Sequence, residues 1–201
     1  MRGSIAVLAL LALTSGALAE EAPVPGATTA PAAAVVQKPP KPAELRAEQL
    51  DVLLAELHKA GPQSSAVEEK IWALWGASDS PTAEVLLGQA KIAIWDGADE
   101  QALSILNRLI GANPDFAEAW NKRALLYFAM GKYDEALKDI DHTLDLEPRH
   151  FGALAGKGVI LARQKKYAAA RDAYEQALAI NPNLEDVKTE LKGLDRVEQG
   201  I

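Results

Sequence analysis

An all-α protein made of stacked antiparallel helix hairpins is what this sequence predicts, and three observations carry the prediction. Leucine and alanine are abundant while aromatic residues make up only 5% of the chain, a composition that favours helices over a sandwich or barrel. Apolar residues recur at three- and four-residue spacing in one segment after another. Pro114, Pro148 and Pro182 stand 34 residues apart, closing runs that read Leu-Ile-Gly-Ala-Asn-Pro, Leu-Asp-Leu-Glu-Pro and Leu-Ala-Ile-Asn-Pro, and a fixed period means stacked units.

Residues 1–19 read as an export signal. Arg2 supplies the positive start, Ile5 to Leu13 the apolar stretch, and Ala17-Leu18-Ala19 a small-residue cleavage site, so that cutting after Ala19 leaves Glu20 first. The rival reading is a membrane anchor, but the apolar run is far shorter than the roughly 20 residues a spanning helix needs. The chain has no cysteine, so neither a disulfide nor a thiol-attached lipid is chemically available. The expectation is a soluble protein outside the cytoplasm, with no stable membrane insertion after cleavage. Loss of Arg2 turns 21 cations into 20 against 28 anions, a net charge of 20 − 28 = −8, which repels phosphate backbones and argues against nucleic acid as a partner.

Residues 20–44 hold six of the eleven prolines and almost no large apolar side chain, so they read as a Pro/Ala-rich disordered linker, either a plain tether or a spacer. A divergent helix hairpin is expected over 45–82. Leu50, Leu53, Leu54 and Leu57 recur at helical spacing until Gly61-Pro62. A second helix then begins, with Ser65 and Glu68 as a capping box and Val67, Ile71, Leu74 and Trp75 as its stripe. Trp72 lies off that stripe and is either a second contact surface or a ring packed under a loop. Ser80-Pro81 is a helix start.

Beyond this point the period divides the chain into units at 83–116, 117–150 and 151–184, aligned without insertion. In the middle unit Trp120, Ala124 and Tyr127 line one helix, Gly131 and Tyr133 the turn, and Ala136, Ile140 and Thr143 the second helix. The third unit repeats this with Leu154, Gly158, Leu161, Tyr167, Ala170, Tyr174 and Ala177, and the first with Leu86, Ala90, Ala93, Gly97, Ala102, Leu106 and Leu109. Small residues at Ala124 and Ala136, or Gly158 and Ala170, let paired helices approach while large neighbours fill the space beside them. Asp115 with Glu118, or Asn183 with Asp186, are expected to cap the next helix in each case. Leu184, Val187, Leu191 and Leu194 make a last amphipathic helix over 185–201, the lid such stacks need.

These residues resemble the tetratricopeptide repeat (TPR) family, with one repeat in each of the three units. The resemblance implies a right-handed TPR superhelix of stacked antiparallel hairpins with a C-terminal capping helix. It also implies that the first helices line a groove for a protein or peptide partner. The positions so implied are Leu87, Lys91, Ile94 and Trp95, then Asn121, Lys122, Leu125 and Phe128, then Val159 and Arg163, with Ala155 and Ala162 beside them. The groove then reads as apolar with a cationic fringe, suited to an amphipathic helix or an extended apolar peptide of acidic character. The competing reading makes Ile94, Leu125, Phe128 and Val159 gap-fillers between hairpins. Some family members grip a terminal carboxylate with lysine, asparagine and arginine, but Leu87, Gly152 and Gly156 stand at three of those places.

No enzymatic activity, cofactor or metal is expected. His58, His142 and His150 are scattered without a two-ligand helical spacing, and Asp139, Asp141, Asp145 and Glu147 lack the glycine of a calcium loop and read as a solvated acidic face. Export signal, leader and repeats together resemble small periplasmic TPR proteins of Gram-negative bacteria. That resemblance implies a periplasmic scaffold or adaptor supporting cell-envelope integrity, or else an assembly factor in cytochrome maturation or outer-membrane biogenesis. An enzyme or ligand sensor is the remaining, disfavoured class.

Overall fold

The computed structural model describes residues 41–198, all in helices and short connections. The expected signal at 1–19 and residues 20–40 of the expected leader lie outside the described residues. In chain order the elements are α1 (Pro42–Ala60), a single 3₁₀ turn (Gly61–Gln63), α2 (Ser64–Trp75), α3 (Pro81–Trp95), α4 (Asp99–Ala112), α5 (Ala117–Ala129), α6 (Tyr133–Leu146), α7 (Phe151–Arg163), α8 (Tyr167–Ile180) and α9 (Glu185–Glu198). Helix α1 thus begins at Pro42, inside the stretch read from sequence as linker, with Glu44 accepting a hydrogen bond from the Lys41 backbone N–H at 2.9 Å.

Helices α3/α4, α5/α6 and α7/α8 pair as antiparallel hairpins, each hairpin packs on the next, and α9 closes the series against α8. Close approach depends on the small residues. Ala90, Ala102, Ala124, Ala136 and Ala170 are buried, and a Cβ on Gly158 would overlap the ring of fully buried Tyr174. The tight turns after α3 and α5 place Gly97 at φ 70° and Gly131 at φ 73°, a region where side chains are strained. In the third unit Lys165 takes this conformation at φ 62° without a glycine.

An ion pair locks the middle of the stack. Arg123 on α5 grips Asp139 on α6 in a two-pronged contact at 2.7 and 2.8 Å and reaches Asn107 on α4 at 2.7 Å. Asp139 is 3% exposed, so the acidic face read as solvated is corrected at this position: an arginine from the preceding helix draws the carboxylate inward. Asp141 pairs with Lys157, and Glu147 with Arg149.

The hairpin α1–α2 departs from this stacking. Instead of lying face-on against α3 and α4, it runs along the edge where the inter-repeat connections emerge. Ala43 and Arg46 border the Asn113–Phe116 connection. Asp51 pairs with Arg149 beside the second connection. At the third, His58 Nε2 lies 2.9 Å from the carbonyl of Ala179 and Asn183 donates to the Leu57 carbonyl at 2.9 Å. From Arg46 to Asp51 to His58 the helix advances about 18 Å at about 1.5 Å per residue, matching two inter-helix spacings of about 8–10 Å. One helix therefore splints all three connections.

Two sequence-derived caps are corrected. The 3₁₀ turn feeds α2 directly, so Ser65 falls inside the helix, and Glu68 accepts from Asn181 at 3.1 Å instead of closing a capping box. Helix α5 has no side-chain cap, because its N-cap position falls on Phe116 and Glu118 turns inward toward His150.

Candidate functional site

Between α5 and α7 lies an apolar groove of about 290 Å³, near the lower end of the roughly 300–1,000 Å³ found for ligand pockets. Leu125 and Phe128 come from α5, Val159 and Ile160 from α7, Ile140 from α6 and Trp72 from α2. Leu125 is 51% exposed, so it is a surface residue facing the opening and not a core residue. Gly152 and Gly156 keep the α7 wall low. A Cβ on Gly152 would overlap the edge of the Trp72 ring, so this glycine is what admits the tryptophan.

Beneath Trp72 sits a buried polar set. The Ala153 N–H donates to His150 Nδ1 at 3.1 Å, which caps α7 and leaves the ring proton on Nε2, 3.2 Å from Glu118 Oε2. Glu118 also accepts from Asn121 at 2.9 Å and pairs with Lys122 at 2.9 Å. Burial alone would raise the Glu118 carboxyl, but the His150 hydrogen bond and the Lys122 charge overcome it and hold the group down at about 2. Trp75 stacks on His150 with centroids 4.0 Å apart, and Trp72 meets His150 and Phe151 edge-on at 5.4 and 5.5 Å. The Lys122 ammonium lies 5.3 Å from the Trp72 ring.

Of the positions expected to line a groove, Asn121, Lys122, Leu125, Phe128 and Val159 come together here. Arg163 stands at the rim with its guanidinium 5.4 Å from the Phe128 ring. Leu87 does not contribute: it is 2% exposed, packed with Leu109, Ile110, Phe116 and Ala119. Ile94 packs into the α3–α4 core and Trp95, 90% exposed, ends α3 away from the groove. Lys91 is exposed on α3 near Gly76. The expected cationic fringe is corrected at Lys122, whose charge is taken up by Glu118. Sequence reasoning missed Ile140, Ile160 and the His150–Glu118 pair. Trp72 carried a signal, its place off the α2 stripe, and the structure sets it against His150, Phe151 and Gly152.

Helix hairpins at this period, packed through small residues and closed by an end helix, define a helical-repeat protein. A tetratricopeptide-repeat family profile matches residues 100–139 and 121–185. A TPR repeat-containing protein of Rhizobium etli is 37% identical over 137 residues, covering 67% of this chain and 67% of that protein. The chain belongs to the tetratricopeptide repeat family. Among solved structures, the first TPR of Spaghetti (RPAP3) bound to the HSP90 peptide SRMEEVD has a TM-score of 0.58 at 23% identity, covering 60% of this chain and 96% of that one. The Yersinia enterocolitica type III secretion chaperone SycD, in complex with a peptide of the translocator YopD, has a TM-score of 0.57 at 17% identity, covering 60% and 97%. At these identities the likeness is one of fold. Among the described residues no helix is long and apolar enough to cross a membrane.

Proposed function

We propose that this protein is a non-enzymatic adaptor that holds a segment of a partner protein or peptide in the groove between α5 and α7. The observation that carries the reading is the open apolar wall formed by half-exposed Leu125 with Phe128 and Val159. Contiguous apolar surface left in water marks an interaction site. The two fold neighbours were solved with peptides bound, which supports a peptide-sized guest for a groove of this kind. The signal-like residues 1–19 support export, so the proposed setting is the periplasm and the proposed role is support of the cell envelope.

The double variant Leu125→Glu, Phe128→Glu is the test. Its circular dichroism should match wild type while photo-crosslinking of partner from a probe at position 159 is lost; loss of the helical signal instead would make these residues core. For the envelope role, a deletion strain should become detergent-sensitive. Normal resistance with a cytochrome defect, or with a defect in outer-membrane assembly, would move the role to the corresponding assembly process.

A further inference from the structure

Trp72 stands where the groove meets the N-terminal ends of α5 and α7, and four observations bear on what it does there. It comes from α2, not from a repeat, so its position is independent of the repeat pattern. Gly152 gives it the space, since any side chain there would overlap the ring. Its face lies 5.3 Å from Lys122, the cation nearest the cavity, whose ammonium is already paired with buried Glu118 at 2.9 Å. The remaining walls at this end are apolar Ala153 and Ile140 together with Asn121, whose amide already donates to Glu118 at 2.9 Å.

The consequence is electrostatic and steric together. An acidic chain end entering the groove from this side would meet an indole wall and a lysine whose charge is compensated within the protein. Drawing Lys122 away from Glu118 would leave a carboxylate that is 1% exposed with hydrogen bonds from His150 and Asn121 but no paired cation, an unfavourable step. A neutral apolar side chain loses nothing on entering the same space and gains contact with Trp72, Leu125, Phe128 and Val159.

Building on the groove reading, we propose that Trp72 is its specificity-determining residue: it closes the groove against acidic chain termini and commits it to an internal, uncharged apolar segment of the partner.

The test uses the full chain and two fluorescent peptides followed by anisotropy. One is SRMEEVD, the acidic-tailed peptide bound by the structural neighbour. The other is a neutral amphipathic helix with leucine and phenylalanine on one face and both ends blocked. Wild type should prefer the neutral peptide by at least roughly tenfold in Kd, and the indole N–H resonance of Trp72 should shift when that peptide binds. Trp72→Phe should keep the preference and Trp72→Ala should erase most of it. Gly152→Ala, which displaces the ring without removing it, should act as Trp72→Ala does and guards against unfolding of the hairpin in that variant. Equal binding of both peptides by wild type overturns the role of Trp72 and leaves the groove standing. Binding of the neutral peptide with no Leu125→Glu sensitivity, or binding of neither, overturns the groove reading itself.

Discussion

The chain contains two kinds of helix hairpin of similar length that dock in different ways. In α5–α6 and α7–α8 the interface is built from small residues, so two helices meet along their length: Ala124 against Ala136, Gly158 beneath the Tyr174 ring. The α1–α2 hairpin carries Glu56 and Glu68 where those small residues would stand, and it buries Leu50, Leu54, Leu57, Val67, Ile71 and Trp75 against the edge of the stack instead. Its polar groups meet backbone and side chains at the repeat edge: His58 lies against the Ala179 carbonyl, Glu68 accepts from Asn181 and the Leu57 carbonyl accepts from Asn183. The difference teaches that the apolar stripe decides whether a hairpin folds, while the small positions decide whether it can join a stack face-on. A hairpin without them is free to serve elsewhere, and here it splints three connections and delivers Trp72 to the groove.

The largest expected effect breaks the comparison if the two regions are one cooperative unit. Trp75 is 8% exposed and stacked on His150. Trp75→Ala should weaken docking of the hairpin by about 3–5 kcal/mol, as for other buried aromatic deletions. Hydrogen exchange should then accelerate over 42–75 and stay slow over 81–180. Equal acceleration in both would show that the splint and the repeats unfold together.

Next in size is a pH dependence seated in the repeats. Glu118 falls from 4.5 when unfolded to about 2 when folded, so its ionised form stabilises the fold fully above about pH 4.5. That contribution is lost as pH drops from there toward 2, and it amounts to something on the order of 3 kcal/mol. Urea midpoints measured across this window should decline steeply for wild type and more gently for Glu118→Gln. Identical slopes would remove the buried set from the forces joining α5 to α7.

The smallest effect sharpens the packing rule itself. Gly158→Ala should destabilise by about 1–3 kcal/mol because Tyr174, fully buried, has no room to yield. Gly88→Ala, in α3 with open space around it, should stabilise by roughly 0.5–1 kcal/mol through helix propensity alone. Thermal melts of the two variants moving in the same direction would contradict the distinction between packing glycines and tolerated ones.

Much of the groove was legible because repeat positions are a local code. Asn121, Lys122, Leu125, Phe128 and Val159 are placed on a first helix by the period alone. Leu87 shares the register of Asn121 yet is buried, because the α4–α5 connection brings Phe116 and Ala119 over it. Glu118 reads from the sequence as the capping partner of Asp115, and only the arrival of His150 from another connection makes it a buried partner.

What the sequence by itself determined is the stack: a 34-residue period with small residues at matched places leaves hairpins one economical way to bury their stripes, side by side. Where α1–α2 docks was decided only in three dimensions. Its stripe specifies that a surface must be covered but not which one. The edge that covers it, made of connections 34 residues apart, comes into being only once the repeats have stacked.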